Sequence, residues 1–276
     1  MNFDMNTCWS RAVELIQANF QLLLTVAAVF LLLPNVALYM LIPDMQSIVD
    51  PTADPEVVAA QMTSFAGPLI AGGLFSMTLQ FIGNASMIAL MSDARPTVGQ
   101  AIGSGIKAVP SLFALTVLAF LIYMLGAFAI ILPFSLVSGL LGSAVIGILG
   151  FIPVLVFVAW LGGRVSMAMP VMVFENTLNP VKVLSRSFAL TKPKQWPITG
   201  FWTIIVAIMV IASLIFTSVF GLIAATAGTG TVGALILGLA SGLTGIVYGM
   251  VLCSAAAAMH GQLTGPNAEA IEDTFG

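Results

Sequence analysis

Six long apolar stretches alternate with shorter polar ones along this chain. Their approximate bounds are 20–42, 65–91, 111–132, 143–163, 197–222 and 233–259. A helix needs roughly 20 consecutive apolar residues to cross the hydrocarbon core of a bilayer, so each stretch predicts a membrane-spanning helix. Three intervening segments have a helical period instead. In 1–19, Trp9, Val13, Ile16 and Phe20 share one face, and Asn6, Ser10, Glu14 and Gln17 share another. In 96–109, Pro96 suits a helix N-terminus, and Val98, Ile102, Ile106 and Val109 lie opposite Gln100, Ser104 and Lys107. In 180–191, Val181, Leu184 and Phe188 form a face with Lys182 and Arg186 beside it. The stretch 165–174 is apolar but short and contains Pro170, so it continues the fourth span or lies at the interface.

The connections follow from what remains. An acidic loop is expected at 43–64, holding Asp44, Asp50, Asp54 and Glu56, and an uncharged turn at 133–142. A Gly, Ala and Thr loop is expected at 223–232, and a polar tail at 261–276 with the composition of a disordered segment. Each amphipathic segment precedes a pair of spans. The expected fold is therefore all-α: one integral membrane domain over 1–260, a polytopic bundle of six transmembrane helices. It is organised as three repeats of a cytoplasmic amphipathic helix plus a transmembrane hairpin. Repeats with an even number of spans point the same way across the membrane.

Composition strengthens this picture. Of 276 residues 59% are hydrophobic and only 7% charged, with a mean hydropathy of +1.10, whereas soluble domains carry about a quarter charged residues. A β-barrel would show short alternating segments instead. The first apolar run is too long for the core of a signal peptide, so the N-terminus is expected to stay uncleaved.

Charge sets the orientation. The eight Lys and Arg residues are Arg11, then Arg95 and Lys107, then Arg164, Lys182, Arg186, Lys192 and Lys194. All fall before the first span, between the second and third, or between the fourth and fifth, and the alternate loops have none. Basic residues are retained on the cytoplasmic side, which predicts both termini there. Trp9, Trp160, Trp196 and Trp202 fall near the same face, as in an interfacial aromatic belt. With so few basic groups, all beside the membrane, nucleic acid is not expected as a partner.

Chemistry is sparse. No ionisable residue lies near the middle of a span, where such a group would be a functional hypothesis by default. Ser76, Gln80 and Asn84 recur every four residues in the second span and should face the bundle interior. Interhelical hydrogen bonding explains them without a pathway. The longest polar interruption, 162–196, holds five of the eight basic residues. Within it Arg164, Glu175 and Arg186 are spaced so that a fold-back would pair Glu175 with Arg164 or Arg186. Lys182, Lys192 and Lys194 complete a cluster that anionic headgroups would attract. His260 complements the dipole at the end of the last helix. Cys8 and Cys253 are too separated in context for a bridge or a zinc site. Gly238-xxx-Gly242 and Gly245-xxx-Gly249 permit close helix packing, inside the chain or between copies. No nucleophile motif, P-loop, dinucleotide fingerprint or metal set is present, so neither catalysis nor a cofactor is expected.

Arg164, Pro170, Glu175, the run Ser185-Arg186-Ser187-Phe188-Ala189-Leu190-Thr191 and Trp196 resemble one bacterial pattern. It is that of the glycerophosphoryl diester phosphodiesterase membrane-domain family and its six-span relatives. The topology resembles that family over most of the chain. In some members the membrane region is fused to a phosphodiesterase barrel, whose carboxylates and two histidines have no counterpart here. The resemblance implies a non-enzymatic protein of the bacterial inner membrane, a scaffold or lipid-interacting module of the cell envelope. Its partners would be membrane lipids, anionic ones included, and a membrane or envelope protein. The alternative is a transporter or channel for a small or lipid-like solute, with Ser76, Gln80 and Asn84 as its polar lining.

Overall fold

The computed structural model describes residues 3–41, 55–228 and 230–265. Every regular element in them is helical: α1 (Met5–Ala27), a π-helical turn (Ala28–Leu32), α2 (Leu33–Leu41), α3 (Pro55–Leu90), α4 (Val98–Leu141), α5 (Ala144–Leu149), α6 (Phe151–Val165), α7 (Ala168–Phe174), α8 (Pro180–Thr191), a 3₁₀ turn (Lys192–Lys194), α9 (Gln195–Thr226) and α10 (Thr231–Thr264). Among the described residues, six helical stretches are long and apolar enough to cross a membrane. That is compatible with a multi-pass integral membrane protein.

The helices run longer than the apolar stretches that predicted them. At about 1.5 Å per residue, α3 with 36 residues and α4 with 44 each exceed the roughly 30 Å hydrocarbon core. Residues 55–64, expected in a loop, are the start of α3, where Pro55 suits the first helical position and Glu56 the first turn. Asp44, Asp50 and Asp54 lie outside the described residues. The turn expected at 133–142 is also helix: α4 passes through Pro133, which has no N–H for the Ala129 carbonyl, to Leu141. The chain reverses at Gly142, whose φ of +63° is the left-handed conformation that ends many helices. The expected loop 223–232 shrinks to the few residues between α9 and α10. Residues 261–264, expected in the tail, extend α10, and 266–276 lie outside the described residues. Of the three amphipathic segments only α8 stands as a separate helix. The first is continuous with its span apart from a kink at Asn19 (φ −121°, ψ 16°), and the second runs straight on into α4.

Two compact units partition the chain. The first comprises Met1–Val13, Pro110–Ala207 and Ala255–Gly276. Asp4 starts its N-terminal helix by accepting the Thr7 N–H at 2.6 Å. That bond, then the Thr7 hydroxyl, holds the exposed Asp4 carboxyl below its usual range. The core of this unit includes Leu161, Met167, Val171, Met172, Val183, Ile198 and Met259. Helix α7 follows α6 within one helical stretch, Ala144–Phe174, as the continuation reading expected. Ser166 and Met167 separate it from α6, and Ala168, Pro170, Val171 and Met172 are buried. Both α6 and α7 pack against α8.

The second unit comprises Glu14–Val109 and Ile208–Ser254. Its core includes Leu23, Val26, Leu31, Ala85, Met87 and Ile88. Pro34 has no N–H for the Phe30 carbonyl, and just before it the helix widens by one residue per turn, with Leu33 N bonding Ala28 O. The chain's other close approaches here use glycine. A Cβ at Gly242 would lie 3.0 Å from Leu32 Cα and 3.1 Å from its carbonyl oxygen. At Gly238 a Cβ would lie 3.0 Å from Val36 Cα, and at Gly249 2.5 Å from Leu31 Cδ1. The glycine pairs of α10 thus pack inside the chain, on the π turn and α2.

Candidate functional site

The link from α6 to α9 lies wholly in the first unit, and its residues meet in three dimensions. Asn179 caps α8: its Oδ1 accepts the N–H groups of Val181 at 3.0 Å and Lys182 at 3.1 Å, and Pro180 occupies the first helical position. Asn176, at φ +49°, turns the chain back toward α7. These two asparagines let α8 fold against α6 and α7.

The fold-back pairs Glu175 with Arg186, not with Arg164. Arg186 Nε donates to both Glu175 carboxylate oxygens at 3.1 Å. Sequence reading missed the third member. His260, from the end of α10, lies with Nε2 3.4 Å from Glu175 Oε1, its ring 5.1 Å from that of Phe174. His260, expected to complement the dipole at the end of the last helix, is buried. A lone histidine 85 residues from its carboxylate leaves no local spacing to detect.

Arg164 is held differently. Its Nη1 donates to Thr191 Oγ1 at 3.1 Å, and its own carbonyl accepts the Ser187 hydroxyl at 2.6 Å. Thr191 in turn donates to the Ser187 carbonyl at 2.8 Å. Ser187 and Thr191 are fully buried, so α8 is latched to the last turn of α6 by hydroxyls that the sequence pattern did not single out. The guanidinium carbon sits 4.8 Å from the Phe188 ring centre and 5.8 Å from that of Trp160. Trp160 is oriented by a bond from its indole N–H to Gln195. Arg164 Nε is buried and has no hydrogen-bond partner, and no carboxylate among the described residues forms an ion pair with it.

The face of α8 that packs inward carries Val183, Leu184, Ser187 and Thr191. Leu184, expected on a membrane-inserting face with Val181 and Phe188, is therefore committed to the protein. Val181, at 64% exposed, points away from it. Leu178 and Trp196 are also exposed. Lys182 and Lys192 are exposed and Lys194 is half-buried. None of the three has an ion-pair partner among the described residues.

The polar stripe of α3 belongs to the second unit. Ser76 is buried, and Gln80 Nε2 donates to its hydroxyl at 3.2 Å. The Cys253 thiol points at the backbone and side-chain oxygens of Asn84, at 3.6 and 3.7 Å. Asn35 was not anticipated: its amide donates to the Leu31 carbonyl at 2.6 Å, inside the π turn, and accepts from Ser241 at 3.3 Å. Its neighbour Pro34 was the available signal. Each of these groups has a partner within the unit.

No family model, curated protein or solved structure matches the chain.

Proposed function

We propose that this chain is a non-enzymatic, lipid-interacting scaffold of the bacterial inner membrane, with both termini in the cytoplasm. The observation that carries this is the outer surface of the α6–α9 link. The link holds three lysines without ion-pair partners among the described residues, and it exposes the apolar side chains of Leu178, Val181 and Trp196. Each basic residue near an anionic leaflet contributes about 1 kcal/mol of attraction within a Debye length. Exposed aromatic and aliphatic groups beside such charges insert at the headgroup level. The confinement of all basic residues to alternate connections supports the orientation. The resemblance of 164–196 to the phosphodiesterase membrane-domain family points the same way. On this reading the three amphipathic segments are three copies of one unit, two of them fused to their spans.

A second reading, transport of a small or lipid-like solute, draws on the π turn beside Asn35, since transporters build sites at interrupted helices. The internal pairing of Ser76, Gln80, Asn84 and Asn35 favours the first.

Orientation is tested by reporter fusions. One after Glu56 should read periplasmic and one after Lys194 cytoplasmic. A cytoplasmic signal at Glu56 would end the proposal. For lipid interaction, the full chain in nanodiscs should enrich phosphatidylglycerol over phosphatidylcholine in its retained lipid, and the enrichment should fall with salt. Absence of any enrichment would overturn it.

A further inference from the structure

We infer that Arg164, together with Lys192 and Lys194, forms a discrete binding site for one phosphate group, supplied by an anionic phospholipid headgroup. This deepens the reading just given and rests on it for the side of the membrane.

The Arg164 guanidinium lies over the rings of Phe188 and Trp160, which displaces water from its faces; its Nε is buried, and the Nη groups remain as donors. Arg164 has five N–H groups, and the one bond it makes goes to a neutral hydroxyl. A partly buried cation normally finds an anion. The carboxylate nearest in sequence, Glu175, is taken by Arg186 and His260. No carboxylate among the described residues supplies its counter-charge, which leaves its accessible donors open to an external anion. Phosphate fits the donor set, because guanidinium forks match two oxygens of a tetrahedral oxyanion and ammonium groups add point charge.

Placement supplies the rest. The bond to Thr191 fixes the guanidinium at the last residue of α8. Lys192 follows directly, and the Lys192–Lys194 turn carries both ammonium groups. On the proposed reading, Arg164 in the last turn of α6 lies where a span meets the headgroup layer. The latch through Ser187 and Thr191 holds the site before any ligand arrives, which lowers the ordering cost of binding. The Arg186–Glu175–His260 group is a separate, internally neutralised contact and does not contribute.

The test uses the full chain in a neutral detergent, titrated with short-chain phosphatidylglycerol, phosphatidylcholine or inorganic phosphate and followed by native mass spectrometry. Wild type should retain one phosphatidylglycerol in preference to phosphatidylcholine. Arg164→Gln should weaken that by at least about ten-fold, the scale of a lost charge-assisted hydrogen-bond pair. Arg164→Lys should restore only part, since an ammonium lacks the planar fork. The double variant Lys192→Gln/Lys194→Gln removes two ammonium groups that have no ion-pair partner among the described residues; it should weaken binding while leaving the melting temperature unchanged, and so carries the test if Arg164→Gln fails to fold. Inorganic phosphate bound with the same Arg164 dependence, while phosphatidylglycerol is not, would overturn the lipid source. Phosphatidylglycerol preference that survives both Arg164→Gln and the double variant would overturn the site while leaving general lipid interaction standing. A wild type with no preference at all would remove both.

Discussion

Gly242 and Gly245 both read as small residues on one packing surface of α10, and the structure separates them. A Cβ at Gly242 would meet the backbone of Leu32 at 3.0 Å and 3.1 Å and its Cγ at 2.9 Å. Neither a backbone nor a helix seated on a π turn yields cheaply. A Cβ at Gly245 would meet Asn35 Nδ2 at 3.7 Å and Leu31 Cβ at 3.9 Å, ordinary contact distances. Replacing glycine by alanine inside a helix gains about 1 kcal/mol of propensity. Forcing an extra methyl into a filled interface costs about 1–3 kcal/mol. Gly242→Ala should therefore lose on the order of 1 kcal/mol net, while Gly245→Ala should be neutral or gain up to about 1 kcal/mol. Gly221, with nothing within 4 Å of its Cβ position, serves as a positive control that should only gain.

The assay is thermal unfolding of the three single variants in detergent, with the mass of the eluting species measured beside it. About 2–4 °C per kcal/mol is expected for chains of this size. Gly242→Ala should melt clearly below wild type and Gly245→Ala at or above it, all at unchanged mass. If the glycines instead join two copies, both variants would change mass and the melting temperatures would not separate them. Equal melting temperatures for Gly242→Ala and Gly245→Ala would refute the reasoning outright.

Three further outcomes are expected. Asn179→Ala removes the acceptor for two N–H groups at the start of α8 and should cost about 1 kcal/mol, read as faster backbone hydrogen exchange over 180–184. Gln80→Leu and Asn84→Leu each remove contacts worth about 0.6 kcal/mol in a membrane, so both variants should elute and melt like wild type. A solute flux lost in both folded variants would favour transport instead. Glu175→Gln weakens a pair whose side chains are 49% and 29% exposed. It should therefore cost no more than about 1 kcal/mol in stability, and a loss several times larger would mean that His260 depends on the carboxylate more than geometry indicates.

The number of spans and the position of α8 were legible because each rests on one strong local signal. Apolar length marks a span, and Asn179-Pro180 marks a capped start. Helix ends were less legible, since nothing apolar distinguishes the overhanging turns of α3 and α4 from loop. At the candidate site, charge spacing put both Arg164 and Arg186 within reach of Glu175 without choosing between them. It gave no access to His260, Ser187 or Thr191, whose roles depend on contacts between elements far apart in sequence or on hydroxyls that no pattern of charge or hydrophobicity marks.

The apolar pattern did not say which side of the amphipathic segments meets protein, for a single physical reason. In soluble proteins large apolar side chains turn toward the core. In 1–19 the buried positions are Cys8 and Ala12, while Trp9 and Phe20 are exposed. In 98–109 they are Ala101, Gly105 and Ala108, while Ile106 is 54% exposed. A Cβ at Gly105 would lie 2.7 Å from the Ile82 carbonyl, so α3 and α4 approach closely there through small residues. Lipid solvates leucine as well as protein does, and helices in a membrane gain most by bringing backbones together. Large side chains are then free to face outward. Helix α8 buries hydroxyls as well as apolar groups, Ser187 and Thr191 together with Val183 and Leu184, which suits a helix packed where water reaches its other face. On the proposed reading that face of the α6–α9 link lies outside the hydrocarbon, where its lysines and Arg164 can meet headgroups.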